Sequence, residues 1–376
     1  MLDKPNSTTA DIVRRCEELF TDLNFTRARE WKAEKPGRIV VGFMPYYAPR
    51  ELVHAAGGLP LGIFGGGDQL EVIHGDAYYQ SYICRIPRST IELGVSGRLD
   101  FVDGMMFPSI CDVIRNLSGM WKLMFPNKGA RYIDLPHNFV DDLGGEFYRS
   151  ELKETCHWLE QMGGKPITDD ALRASIAVFN ENRRLIREAY EVRADQPWNI
   201  PSSELYLLLR AGMVIPVEEH NKMMRAYLDS VREQTRPIKD NSRVVISGMF
   251  CEQPPLNLIK SIELSGCYIV DDDFILVTRW ENSDVKLEGD PLANLASAYI
   301  HDSKSTPPKY EPDEAKKGLY LVDSVKKNRA EGVIFAMTSF CDPGLLERPI
   351  LQSVLKKHNI PQIAFKYAEN SGQMQP

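Results

Sequence analysis

The sequence predicts an α/β protein of two lobes, each a parallel sheet with helices on both faces, joined by a helical connector. Three observations carry this expectation. Apolar, β-branched runs alternate with helix-period segments in the first and last parts of the chain; the middle is helical in pattern throughout; and one motif recurs in both alternating regions.

In the first alternating region, residues 38–43, 59–64, 99–107 and 131–135 read as strands, and 49–57, 78–94 and 109–125 are each long enough for a crossover helix. Strands separated by such helices pair in parallel, because the crossover returns the chain to the same edge. Residues 151–162, 169–193, 202–211 and 217–235 form the helical stretch, and strands resume at 243–247, 267–270, 332–337 and 361–365. The expected organisation is a lobe at 1–150, a connector at 151–240 and a lobe at 241–376, both lobes Rossmann-like (flavodoxin-like).

The lobes read as divergent copies. Val40-Val41-Gly42 is followed by Pro49 and Leu52, and Ile246-Ser247-Gly248 by Pro255 and Leu258 at the same spacing. Later, Ser109-Ile110-Cys111-Asp112 and Ser339-Phe340-Cys341-Asp342 share Ser-x-Cys-Asp where a strand gives way to a helix. Helix capping also selects Ser and Asp at such points, so the match in element order is what makes duplication the better reading.

Composition narrows the function. With 45 basic against 52 acidic side chains and no long Lys/Arg run, the chain lacks an electrostatic footprint for nucleic acid. No apolar stretch of about 18 residues suits a membrane, and the N-terminus lacks the apolar core of a signal peptide. A cytoplasmic protein is expected. Seven thinly spread cysteines without a CxxC pair argue against a disulfide framework, so a metal site would be assembled from distant segments.

Cys111 and Cys341 fall at carboxyl ends of strands, where open parallel sheets bind ligands, and a following helix favours the thiolate. Cys84 has Arg85 and Arg88 within one turn, unlike the apolar setting of a structural cysteine. The competing reading is three small buried side chains. Cys251 follows the first strand of the second lobe and reads as a fourth ligand or a packing or redox thiol. Cys16, Cys156 and Cys267 read as core or surface thiols.

Glu51 opens the first crossover helix, as a residue suited to the helix dipole or as a proton donor; His54 and His74 invite the same two readings. Gly62-Ile63-Phe64-Gly65-Gly66-Gly67 follows a strand but lacks Walker spacing and reads as a flexible turn. Asp271-Asp272-Asp273 reads as a cation ligand set or as turn and capping residues.

Ser81-Tyr82-Ile83-Cys84-Arg85, the two Ser-x-Cys-Asp elements and Glu347-Arg348-Pro349 resemble the cysteine motifs of the 2-hydroxyacyl-CoA dehydratase and class I benzoyl-CoA reductase superfamily, over about Val40 to the C-terminus. Residues 248–255 and 266–274 look most like the C (gamma) subunits of the benzoyl-CoA reductase branch. The resemblance implies one [4Fe-4S] cluster between two α/β lobes, held by Cys84, Cys111 and Cys341, with the fourth iron left to another ligand. Arg85 and Arg88 would then ease the cluster's charge or meet a coenzyme A phosphate; otherwise they form a solvated helix face. It further implies an aromatic acyl-CoA substrate reduced by single electrons, a homologous cluster-bearing subunit, and separate ATP-hydrolysing subunits that receive electrons from ferredoxin. A dehydratase subunit working through a ketyl, or a non-catalytic relay or scaffold of the same fold, are the alternatives.

Overall fold

A computed structural model describes residues 8–44, 46–248, 255–273, 283–303 and 309–367. Strands β1 (Val40–Phe43), β2 (Leu59–Gly62), β3 (Gly104–Pro108) and β4 (Gly129–Ile133) form an all-parallel sheet in the order β2-β1-β3-β4. Strands β5 (Ser242–Gly248), β6 (Cys267–Asp272), β7 (Gly332–Thr338) and β8 (Gln362–Tyr367) form a second, in the order β6-β5-β7-β8. Every residue of β1 and β3 is buried, which is why these strands read as apolar runs and not as an alternation: helices cover both faces.

The same strand permutation in both sheets bears out the duplication, and the matched motifs fall at matched places. Pro49 and Pro255 precede the helices Arg50–Ala55 and Leu256–Leu264, each at the N-cap. Cys111 and Cys341 hold the N-caps of Asp112–Met124 and Asp342–Lys357, the helices after the third strand of each sheet.

Several expected elements differ in extent, and for two the chain shows why. The strand expected at 99–107 begins at Gly104, because Gly97, at φ +76°, opens turns that use the Leu99 and Gly97 carbonyls. The helix expected at 78–94 is Arg85–Val95. Pro87 supplies no N–H and is tolerated only in a first turn, which confines the helix start to just before it. Helices Pro291–Asp302 and Leu319–Lys327, between β6 and β7, were not legible as separate elements.

The connector comprises Glu146–Gln161, Asp169–Asp195, Ser202–Ala211 and Val217–Glu233, and the N-terminal helix Thr9–Thr21 packs against the last two. Thr168 starts the longest helix by accepting the Ala171 N–H. That helix carries Arg183, paired with Glu51 of the first lobe, and Arg193, 2.8 Å from Asp272 at the end of β6. All four side chains are buried, and charges are tolerated there because each has its counter-charge. His220 is buried nearby, receiving the Asn182 amide at 2.8 Å on Nδ1 and donating from Nε2 to the Leu208 carbonyl at 3.0 Å. Its ring lies where a Cβ on Gly212 would come within 2.4 Å. Among the described residues no helix is long and apolar enough to cross a membrane.

Candidate functional site

All three motif cysteines stand at helix N-caps: Cys84 before Arg85–Val95, Cys111 before Asp112–Met124 and Cys341 before Asp342–Lys357. In the first lobe the chain leaves β3 with Ser109, whose hydroxyl receives the Leu135 N–H at 2.7 Å and pins the turn before Cys111. In the second, Phe340 takes a left-handed conformation, φ +64°, uncommon for a bulky side chain, and this bend delivers Cys341 to its cap. Cys84 and Cys341 are buried and Cys111 is half-buried.

Electrostatics tie the three into one neighbourhood. Burial pushes the Cys111 thiol up to about 11; N–H groups of Ile114 and Val113 bonded to the sulfur pull the other way, and nearby Cys341 adds to the rise. Tyr79 is raised above the ordinary phenol range by burial first, then by the closeness of Cys84 and Cys111. Its hydroxyl is buried without a hydrogen-bond partner among the described residues. A buried orphan hydroxyl costs on the order of 1–3 kcal/mol, so its place beside two motif thiols marks a position that a bound group would satisfy. Sequence reasoning passed over Tyr79 by assigning its segment to a helix. The signal was the run Tyr78-Tyr79-Gln80-Ser81-Tyr82 immediately before Cys84, dense in aromatic hydroxyls.

Among the described residues no three His, Cys, Asp or Glu side chains are close enough to share one metal ion. An iron-sulfur cube makes a different demand, since each thiolate takes its own iron, and soft sulfur donors suit it. The thiols of Cys84, Cys111 and Cys341, each at the positive end of a helix, fit an anionic cube of that kind.

The other expected site residues are engaged elsewhere. The Arg85 guanidinium donates to the carbonyls of Leu70 at 2.7 Å and Gly67 at 3.4 Å, and Arg88 pairs with Asp76 at 3.0 Å. Through these contacts both side chains fasten the 67–76 loop, while the Nε of each stays buried without a partner among the described residues. For Glu51, burial raises the pKa, but the charges of Arg183 and Arg50 outweigh it and hold the carboxyl below its ordinary value. That pairing does not suit a proton donor. Cys251 lies outside the described residues. His54 bonds Ser175 and Glu218, both at 2.9 Å, and His74 bonds Glu92 at 3.0 Å. Asp271 accepts from Ser324, Asp272 faces Arg193, and Asp273 accepts from Ser247 and Gly248, both at 2.9 Å. The aspartate triplet thus braces the end of β6.

Two doubled parallel sheets with cysteines capping helices at their carboxyl edges define a class of protein. Residues 45–375 match the family described as 2-hydroxyglutaryl-CoA dehydratase, D-component, and the chain belongs to that family. Within it, the chain is 62% identical over 369 residues, 98% of its length and 96% of the relative's, to the C-type subunit of benzoyl-CoA reductase from Thauera aromatica. It is 30% identical to the beta subunit of (R)-2-hydroxyglutaryl-CoA dehydratase of Acidaminococcus fermentans, covering 90% of this chain and 89% of that one. The (R)-phenyllactyl-CoA dehydratase beta subunit of Clostridium sporogenes is 28% identical, covering 88% and 86%.

Proposed function

We propose that this chain is the C-type subunit of an ATP-dependent benzoyl-CoA reductase, holding one [4Fe-4S] cluster on Cys84, Cys111 and Cys341. The observation that carries the reading is the 62% identity over nearly the whole of both chains. The geometry supports it, because three thiols share one neighbourhood at three helix N-termini.

A bound cluster would supply electrons one at a time at low potential. The chain's own residues do the rest. Helix N-terminal amides offset negative charge at the thiolates, as the Val113 and Ile114 N–H groups do for Cys111. The Tyr79 hydroxyl, buried without a partner among the described residues beside Cys84 and Cys111, would donate a hydrogen bond to a cluster held there and ease added negative charge. The net change is addition of two electrons and two protons to the ring of an aromatic acyl thioester, giving a cyclohexadiene carboxyl-CoA. Partners would be a related cluster-bearing subunit and an ATP-hydrolysing electron donor fed by ferredoxin, in a cytoplasmic complex.

The family description and the dehydratase relatives favour a second reading, a 2-hydroxyacyl-CoA dehydratase subunit. Anaerobic co-purification with bound partners, iron and sulfide analysis, and parallel assays separate the two. ATP-dependent reduction of benzoyl-CoA is expected. Loss of water from a 2-hydroxyacyl-CoA without reduction of benzoyl-CoA would overturn the reductase reading.

A further inference from the structure

The glycine turn after β2 has a conformation that the cluster chemistry does not use. Gly65 lies at φ +73°, Gly66 at φ −122° and ψ 0°, and Gly67 at φ +51°. Alternating left- and right-handed residues aim successive N–H groups into one concavity, an arrangement that binds anions. Only glycine enters the left-handed positions readily, and a Cβ on Gly66 would lie 2.3 Å from that of Leu70.

Two of the turn's carbonyls are occupied: Gly66 accepts from Gln69, and Gly67 from Leu70 and Arg85. Its N–H groups are not. Those of Gly65, Gly66 and Gly67 have no acceptor among the described residues. They open on a cavity of about 350 Å³ that Arg210 also lines.

Arg210, in the last turn of Ser202–Ala211, is held by stacking. Its guanidinium carbon lies 4.6 Å from the Phe64 ring centroid, 5.0 Å from Phe20 and 5.9 Å from Tyr206. Its one hydrogen bond among the described residues goes to the Tyr206 hydroxyl at 3.2 Å, and no described carboxylate pairs with it. Three rings therefore fix a planar cation with most of its donors unspent, in the cavity that the glycine turn also lines. Pro255, Leu256 and Asn257, at the uncapped N-terminus of Leu256–Leu264, close the opposite wall and add the positive end of a helix. The one described carboxylate in the lining, Glu17, is 3.6 Å from Lys260 and so is already offset.

We propose that this cavity is a phosphate subsite, in which Arg210 and the Gly65–Gly67 amides hold a phosphate group of the coenzyme A thioester. The occupant rests on the function proposed above; the anion chemistry does not. The turn follows β2 and the helix follows β5, so the subsite lies on the carboxyl edges of both sheets, the edges that also carry the motif cysteines. A thioester gripped by its phosphate there would extend its acyl end along that shared crevice.

The test is calorimetric titration of the anaerobically purified complex with coenzyme A, ADP, inorganic pyrophosphate and pantetheine, in the parent and in two variants. Arg210→Gln removes the fork. Asn257→Asp places a carboxylate in the first turn of a helix, where it suits the dipole and preserves folding, yet repels an anion in the cavity. Both variants should weaken coenzyme A binding at least about tenfold, with pantetheine binding unchanged. Unchanged coenzyme A affinity in Asn257→Asp, with native circular dichroism, would overturn the subsite. ADP or pyrophosphate binding that depends on Arg210, without any such dependence for coenzyme A, would overturn the assignment to the thioester. A complex that fails to reduce benzoyl-CoA but still shows the Arg210-dependent loss would count against the reductase reading alone.

Discussion

Cys111 and Cys341 occupy the same position in two different sheets, each capping the helix that follows the third strand, and a charge on Cys341 is felt at Cys111. The duplicated lobes therefore bring equivalent residues into one electrostatic neighbourhood. Cys84, which caps a helix between β2 and β3, has no such counterpart among the described residues.

The first prediction follows from that convergence. Cys84→Ala, Cys111→Ala and Cys341→Ala should each lose most of the iron and sulfide after anaerobic reconstitution, while Cys156→Ala, on the helix Glu146–Gln161, should retain them. Equal iron content in all four variants would remove the cluster from these thiols.

Tyr79→Phe should keep the iron but lower the reduction potential by about 40 mV, the one-electron equivalent of one lost hydrogen bond of about 1 kcal/mol. Redox titration followed by electron paramagnetic resonance measures it. Arg88→Gln serves as the comparison, because Arg88 pairs with Asp76 and should leave the potential unchanged.

Glu51→Gln should destabilise the fold by about 3 kcal/mol, because it removes the negative charge that offsets the buried Arg183 guanidinium. Urea unfolding of the parent and variant tests this. A variant of native stability would reopen a chemical role for Glu51.

Stability should fall with acid through His220. Burial chiefly holds its pKa down to about 4, against 6.5 for an exposed imidazole, so at neutral pH it is uncharged in both folded and unfolded chains. Below pH 6.5 the unfolded chain takes up a proton that the folded one refuses, and the loss grows until about pH 4. Thermal midpoints over that window should fall less steeply in His220→Asn than in the parent. Gly212→Ala should destabilise at every pH, because its Cβ meets the His220 ring.

The sheets were legible because buried parallel strands spell themselves as continuous apolar runs, as Val40–Phe43 and Gly332–Thr338 do. The cysteines were legible because capping chemistry and motif coincide at Cys111 and Cys341. What escaped was governed by contacts between distant segments. Nothing local reveals that Arg85 turns back to Leu70, that Glu51 finds Arg183, or that the Tyr79 hydroxyl is left without a partner beside Cys84 and Cys111. The turn at Gly65–Gly67 shows the same limit: its lack of Walker spacing was legible, but its alternation of left- and right-handed dihedrals was not.

The long helix Asp169–Asp195 acts as a strut. Arg183 bolts it to the first lobe through Glu51, and Arg193, about 15 Å further along its axis, bolts it to the second through Asp272. Opening the crevice by rotating one lobe would pull a buried charge from its counter-charge at one bolt or the other, a cost of about 3–5 kcal/mol. The two ion pairs thus tie both lobes to one rigid rod, and a change in their separation has to break or carry along a buried pair.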